Sequence, residues 1–141
     1  MHPSDTQTWW LLQILASLFL AILFLQSGID KIVDRKGNLD FLMGHFAKSP
    51  LAKTVGPMFT TILILEVVSG LLSGIGCVLV VLTRDPSLAF WGATLSAISL
   101  SALFFGQRVG KDYAGAAVLV PYFLLALAAM WILGIGHLVT I

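Results

Sequence analysis

Four stretches of this sequence are too long and too apolar for water, and a bilayer is the solvent that suits them. A helix crossing the hydrocarbon core needs about 20 mostly apolar residues, because the core is about 30 Å thick and each residue rises about 1.5 Å. Stretches of that length occur at about 9–28, 55–82, 88–105 and 113–138, and the only aspartate, glutamate, lysine or arginine within any of them is Glu66. With 58% of the residues hydrophobic and 11% charged, the chain reads as all-α: an integral membrane four-helix bundle, a single domain over residues 1–141. The connections are too short for a separate soluble enzyme unit, and no phosphate-cradling glycine pattern follows a strand signal. Any chemistry therefore belongs inside the bundle or to a partner. The first stretch is too long for a signal-peptide core, no lysine or arginine precedes it, and no small-residue cleavage site follows, so it reads as a retained span.

Basic residues gather on one side. The connection after the first span holds Lys31, Arg35, Lys36, Lys48 and Lys53, and the one before the fourth holds Arg108 and Lys111. Only Arg84 stands in the remaining turn. Short cytoplasmic loops carry the excess of lysine and arginine, which predicts these two connections in the cytoplasm and both termini outside, in what is expected to be a prokaryotic inner membrane. Within the first connection Leu39, Leu42, Met43 and Phe46 recur at helical spacing. They predict a short helix over about 39–48, N-capped by Asn38 and ended by Ser49-Pro50. At about ten residues it cannot span. It either lies in the interface, apolar face down, or packs over the end of the bundle.

Glu66 sits inside ILILEVVSGLLSG. At helical spacing it shares a face with Ile62, Ser69, Gly70, Ser73, Gly74 and Cys77, while Val67, Val68, Leu71, Leu72 and Val78 take the other side. Gly70 and Gly74 have GxxxG spacing, and small residues let membrane helices approach closely. Gly28, Gly70, Ser73, Gly74 and Pro121 are accordingly read as packing positions. The third span offers a matching surface in Gly92 and Ser96, Ala93 and Ala97, and Ala97 and Ser101. Glu66 thus faces protein near the middle of the bilayer, where an unpaired carboxylate costs on the order of 2.5 to 3.5 kcal/mol.

Two routes avoid that cost: the acid stays protonated, or it pairs with a cation or with donors reaching inward. The first is the expectation. Pro121 deprives the Ala117 carbonyl of its helical partner, so a neutral Glu66 is expected to donate in that region, with Tyr122 as a second polar group. For the second route, Lys31, Gln107, Arg108 and Asp112 crowd the cytoplasmic rim. Arg108 or Lys31 could snorkel inward, and Asp112 could cap the fourth helix. Together these residues outline a polar pocket closed at its base by Glu66.

The segments LFLQSGIDK, LEVVSGLLSGIG and FGQRVGKDYAGAAVLVPYF, in this order and spacing, resemble the DoxX family of small four-span membrane proteins over about residues 18–135. Carried over by position, the resemblance implies family polar positions at Gly28, Lys31, Glu66, Gly70, Arg108, Asp112 and Pro121. It also implies an accessory or anchor subunit of a membrane assembly, without a complete catalytic centre of its own. The setting it suggests is a quinone-linked oxidoreductase, since the family takes its name from a small subunit of a thiosulfate:quinone oxidoreductase. Expected partners are the lipid bilayer and other membrane or redox subunits, or further copies of the chain, with no nucleic acid.

The residues narrow the redox chemistry further. Cys77 is the only cysteine, so the chain alone builds neither a dithiol relay nor a cysteine-ligated cluster; it reads as a small apolar packer. His2 and His137 fall near the outer face and His45 in the opposite loop, which gives no intramembrane pair for haem. No metal-ligand spacing occurs. A quinone needs only an apolar slot and a few polar groups. Glu66, Arg108 or Lys31 would supply these, with Trp9, Trp10, Trp91 and Trp131 either as aromatic surface or as interfacial anchors. Two other classes compete. A small-molecule or proton-coupled transporter suits a midplane acid, but the sequence shows no basic partner at depth and no inverted repeat. A purely structural membrane subunit needs neither.

Overall fold

The computed structural model describes residues 2–135. They form five α-helices: α1 (Asp5–Val33), α2 (Arg35–His45), α3 (Val55–Thr83), α4 (Ser87–Val109) and α5 (Tyr113–Gly134). A short 3-10 turn, Ala52–Thr54, leads into α3. Helices α1, α3, α4 and α5 are long and apolar enough to cross a membrane, and no strand occurs among the described residues.

Local hydrogen bonding explains where the helices begin and end. α1 starts four residues earlier than the apolar stretch because Ser4 and Gln7 form a capping box: Gln7 N–H donates to Ser4 Oγ at 3.1 Å, and Ser4 N–H to Gln7 Oε1 at 3.0 Å. α2 starts at Arg35, ahead of the expected position, because Asp34 is its cap and accepts from Gly37 N–H at 3.2 Å. Asn38, the expected cap, is inside the helix and donates to the Asp34 carbonyl at 2.8 Å. The helix also stops earlier, at His45, with Phe46 as C-cap. In the turn between α3 and α4, Arg84 adopts a left-handed conformation with φ 59°. There Ser87 Oγ and N–H donate to Asp85 at 2.7 and 3.0 Å. These bonds, the side-chain one foremost, hold the exposed Asp85 carboxyl below its ordinary range. Asp112 caps α5 as expected, accepting from Gly115 N–H at 2.9 Å. The expected continuation of the fourth span to residue 138, and His137 with it, lies outside the described residues.

α3 is the central helix, packed against α1 on one side and α4 on the other, and α5 lies against α4. Antiparallel register with α1 is set where Gly28 meets Val67, Gly70 meets Leu25 and Gly74 faces Ala21. On the other side Gly76 meets Ala89, and Gly92 meets Ser73. Leu20, Phe24, Val80, Ala89, Ala93, Ala126, Ala129 and Leu133 form the buried core. In lipid the helices gain nothing by hiding apolar surface from one another, so this close contact of small residues carries the association. Of the expected packing glycines, Gly28 and Gly70 are tight. Gly74 is not: a Cβ there would find its nearest neighbour at 3.7 Å. Gly76, which the GxxxG spacing did not single out, is the tightest point of α3 against α4. Pro121 lies within α5 and is exposed.

The end of the bundle made by residues 84–86 and the start of α1 is tied by tryptophans. Trp9 Nε1 and Gln13 Nε2 donate to the Ile132 carbonyl at 2.9 and 3.4 Å, joining α1 to α5. Trp10 Nε1 donates to the Val80 carbonyl at 2.8 Å, and the Arg84 guanidinium lies 4.7 Å from the Trp10 ring centroid.

At the other end α2 crosses the bundle. None of its own residues is fully buried, but Phe46, just past its end, is 4% exposed and rests against Gly106 and Gly110. The helix therefore covers the bundle end while leaving Phe41 and Met43 exposed. A Cβ on Gly110 would approach Phe46 Cε1 at 2.8 Å and His45 Nε2 at 3.1 Å. Gly110→Ala is expected to loosen α2, raising maleimide labelling of a Leu42→Cys reporter several-fold in a Cys77→Ala background. Gly44→Ala, whose Cβ would meet nothing within 4 Å, should leave the labelling rate unchanged. Equal rates in the two variants would mean that Phe46 does not hold the helix in place.

Candidate functional site

The buried acid is paired. Glu66 is 2% exposed, and its Oε2 lies 3.0 Å from Nζ of Lys31. Ser27, one turn before Lys31 on α1, joins the two: Lys31 Nζ donates to Ser27 Oγ at 2.9 Å, and Ser27 Oγ donates to Glu66 Oε1 at 3.1 Å. Oε2 accepts no hydrogen bond, so its approach to the ammonium is a charge contact outside hydrogen-bonding alignment. α1 and α3 meet through glycines, which brings the two backbones close enough for the lysine side chain to reach inward from the last turn of its helix. In such surroundings two opposite charges at this distance attract far more strongly than they would in water.

This geometry corrects the expectation of a neutral Glu66 donating toward Ala117. Ala117 is exposed on α5, whereas Glu66 is held between α3 and α1. Tyr122 is partly buried against the apolar core, away from the acid's bonding partners. Arg108 does not reach inward either: it is exposed, with its guanidinium 4.5 Å from the Tyr113 ring centroid. Lys31, from the last turn of α1, is the basic partner of Glu66.

Lys31 also lines a cleft of about 440 Å³ between the ends of α1, α3 and α4, with α2 along its side. Its wall is mostly apolar, including Phe41, Leu42, Phe46, Met58, Phe59, Ile62, Leu103 and Phe105, with Asn38, Thr61 and Gln107 as neutral polar residues. The volume falls in the ordinary range for a small-molecule site. Lys31 is the only charged residue in this lining. At the nearby α4–α5 turn, His45 Nε2 lies 4.0 Å from Asp112 Oδ2, and the His45 ring stacks on Phe41 with centroids 5.9 Å apart.

The expected site residues thus separate into groups. Lys31 and Glu66 meet directly, Gln107 shares the cleft with Lys31, and Asp112 caps α5 opposite His45. Arg108 and Tyr122 stand apart. Ser27 and His45 were not singled out as site residues; the i, i+4 spacing of Ser27 and Lys31 was the available signal for the first. The tryptophans do not line the cleft, since Trp9 and Trp10 bond at the opposite end.

Elsewhere the polar groups serve packing. Ser69, Ser96 and Ser99 return their hydroxyls to carbonyls of their own helices at 2.6 to 2.8 Å. Ser69 and Ser99 also meet across α3 and α4, with Oγ atoms 3.3 Å apart. A smaller apolar cleft of about 340 Å³ between α4 and α5 contains Ser101 but no charged residue. Cys77 is buried and unpaired by disulfide, its Sγ 3.6 Å from the Ile14 carbonyl. Among the described residues no three His, Cys, Asp or Glu side chains converge as a metal-ligand group. Compared with models of protein families, with curated proteins and with solved structures, the chain matches none.

Proposed function

We propose that this chain is a DoxX-like accessory subunit of a prokaryotic inner-membrane assembly, quinone-linked in its chemistry, and that it holds a quinone headgroup in the cleft beside α2. The observation that carries this reading is a charge-balanced lysine on the wall of an otherwise apolar cleft. A quinone ring is flat, apolar and neutral, and its carbonyls accept hydrogen bonds. The Lys31 ammonium has three donors, of which one is given to Ser27. The Gln107 side-chain amide supplies further donors from across the cleft. The lysine-rich first connection supports a cytoplasmic position for this end, where a soluble redox partner could approach. Electrons would come from such a partner, and the chain's contribution is to bind and orient.

The test is photolabelling with an azido-quinone, using protein purified in mild detergent, with peptide mapping of the products. Labelling is expected on α2 and the end of α4. It should fall about tenfold in Lys31→Met/Glu66→Gln, which removes the charge-assisted donor but leaves the site uncharged. Uniform labelling along the lipid-facing helices, insensitive to that variant, would remove the basis for this function. The transporter reading gains from the same pair, because Lys31 supplies Glu66 with a basic partner. Substrate or proton flux in liposomes containing this chain alone, with no quinone labelling, would put that reading first.

A further inference from the structure

We infer that the Lys31–Glu66 pair selects the charge of what enters the cleft: a neutral amphiphile with a carbonyl headgroup is accepted, and an anionic amphiphile is refused. This rests on the reading of the cleft as a ligand site.

An uncompensated lysine on the wall of an apolar cleft attracts an anionic headgroup, whose charge neutralises the ammonium. Here that role is already filled from inside the protein by Glu66, 3.0 Å from Nζ. An anionic headgroup on Lys31 would bring a second negative charge close to a carboxylate that is 2% exposed, where water screens little. A cationic headgroup would meet the ammonium itself. Three other charges near this end are engaged outside the cleft. Arg35 lies 5.3 Å from the Phe59 ring centroid and bonds Thr60, Arg108 stacks on Tyr113, and Asp112 faces His45. None of the three lines the cleft. A neutral acceptor leaves the balance intact and uses donors already present on Lys31 and Gln107.

Glu66 does not line the cleft and acts through Lys31. It is a positioning residue, and its removal should change which ligand binds as well as how tightly. The experiment uses two fluorescent probes of equal chain length, a long-chain methyl ketone and a long-chain alkyl sulfonate that stays anionic at every working pH. Both are titrated against the protein purified in nonionic detergent. Wild type is expected to bind the ketone about tenfold or more tighter than the sulfonate, and Glu66→Gln to reverse the order by a similar factor. A wild-type preference for the sulfonate, or a ketone-to-sulfonate ratio that Glu66→Gln leaves unchanged, would overturn the inference while leaving the cleft as a ligand site. Wild type binding neither probe would overturn the ligand site itself, and the inference with it. If Glu66→Gln does not yield folded protein, the wild-type ratio decides alone.

Discussion

Lys31→Met should destabilise the protein by about 3 kcal/mol, whereas Lys31→Met combined with Glu66→Leu should fall within about 1 kcal/mol of wild type. Removing the lysine alone strands a carboxylate that is 2% exposed, with only the Ser27 hydroxyl still donating to it. Removing both charges eliminates the desolvation as well as the attraction, and well-packed apolar residues commonly replace a buried ion pair at little cost. Ser27 then has the carbonyl one turn back on its own helix as an alternative acceptor. Thermal unfolding of the two single variants and the double variant in one detergent closes the cycle. Additive losses would show that the two side chains are not coupled, and would take with them the charge balance on which ligand selection depends.

The four spans were legible because a run of apolar residues long enough to cross a bilayer admits few other structures. The inward face of α3 was legible too, since Glu66, Ser69, Gly70, Ser73 and Cys77 repeat at helical spacing and all are buried. The partner of Glu66 was harder to identify. Lys31, Arg108 and the Ala117 carbonyl were all within reach on the sequence, and the choice depends on how α1 slides along α3. That register is set by Gly28 on Val67 and Gly70 on Leu25, pairings that neither segment specifies by itself. Arg108 is engaged by Tyr113, a residue just beyond the turn, so its charge never turns inward. The start of α2 was misplaced for a local reason: Asp34 and Asn38 are both good caps, and Gly37 lets the earlier one bond. The cleft requires α2 to fold back beside three span ends, a long-range arrangement with no periodic signature.

Gly76→Leu should prevent native packing of α4 on α3, and Gly76→Ala should cost about 1 to 3 kcal/mol, while Gly74→Ala should be neutral or slightly stabilising. Both glycines lie near the edges of the inward face, on opposite sides of it. A Cβ on Gly76 would stand 2.5 Å from Ala89 Cα and 2.8 Å from Ala89 Cβ. Most of that obstacle is backbone, which has no rotamer to change, so relief requires the helices to separate. In a membrane the separated surfaces gain no hydrophobic compensation, and the lost close contacts are lost outright. On the other side a Cβ on Gly74 would meet Ala21 Cβ at 3.7 Å and Leu25 Cδ1 at 3.9 Å, ordinary contacts, and alanine favours the helix over glycine by about 1 kcal/mol. The unfolding midpoints of the two alanine variants in one detergent test the difference directly. Equal destabilisation would mean that α1 and α4 press on α3 alike, contrary to the asymmetric fit. The distinction reaches the cleft because α4 also carries Leu103 and Gln107 in its wall. A displaced α4 would draw Gln107 away from Lys31, so Gly76→Ala should weaken ketone binding while Gly74→Ala leaves it unchanged.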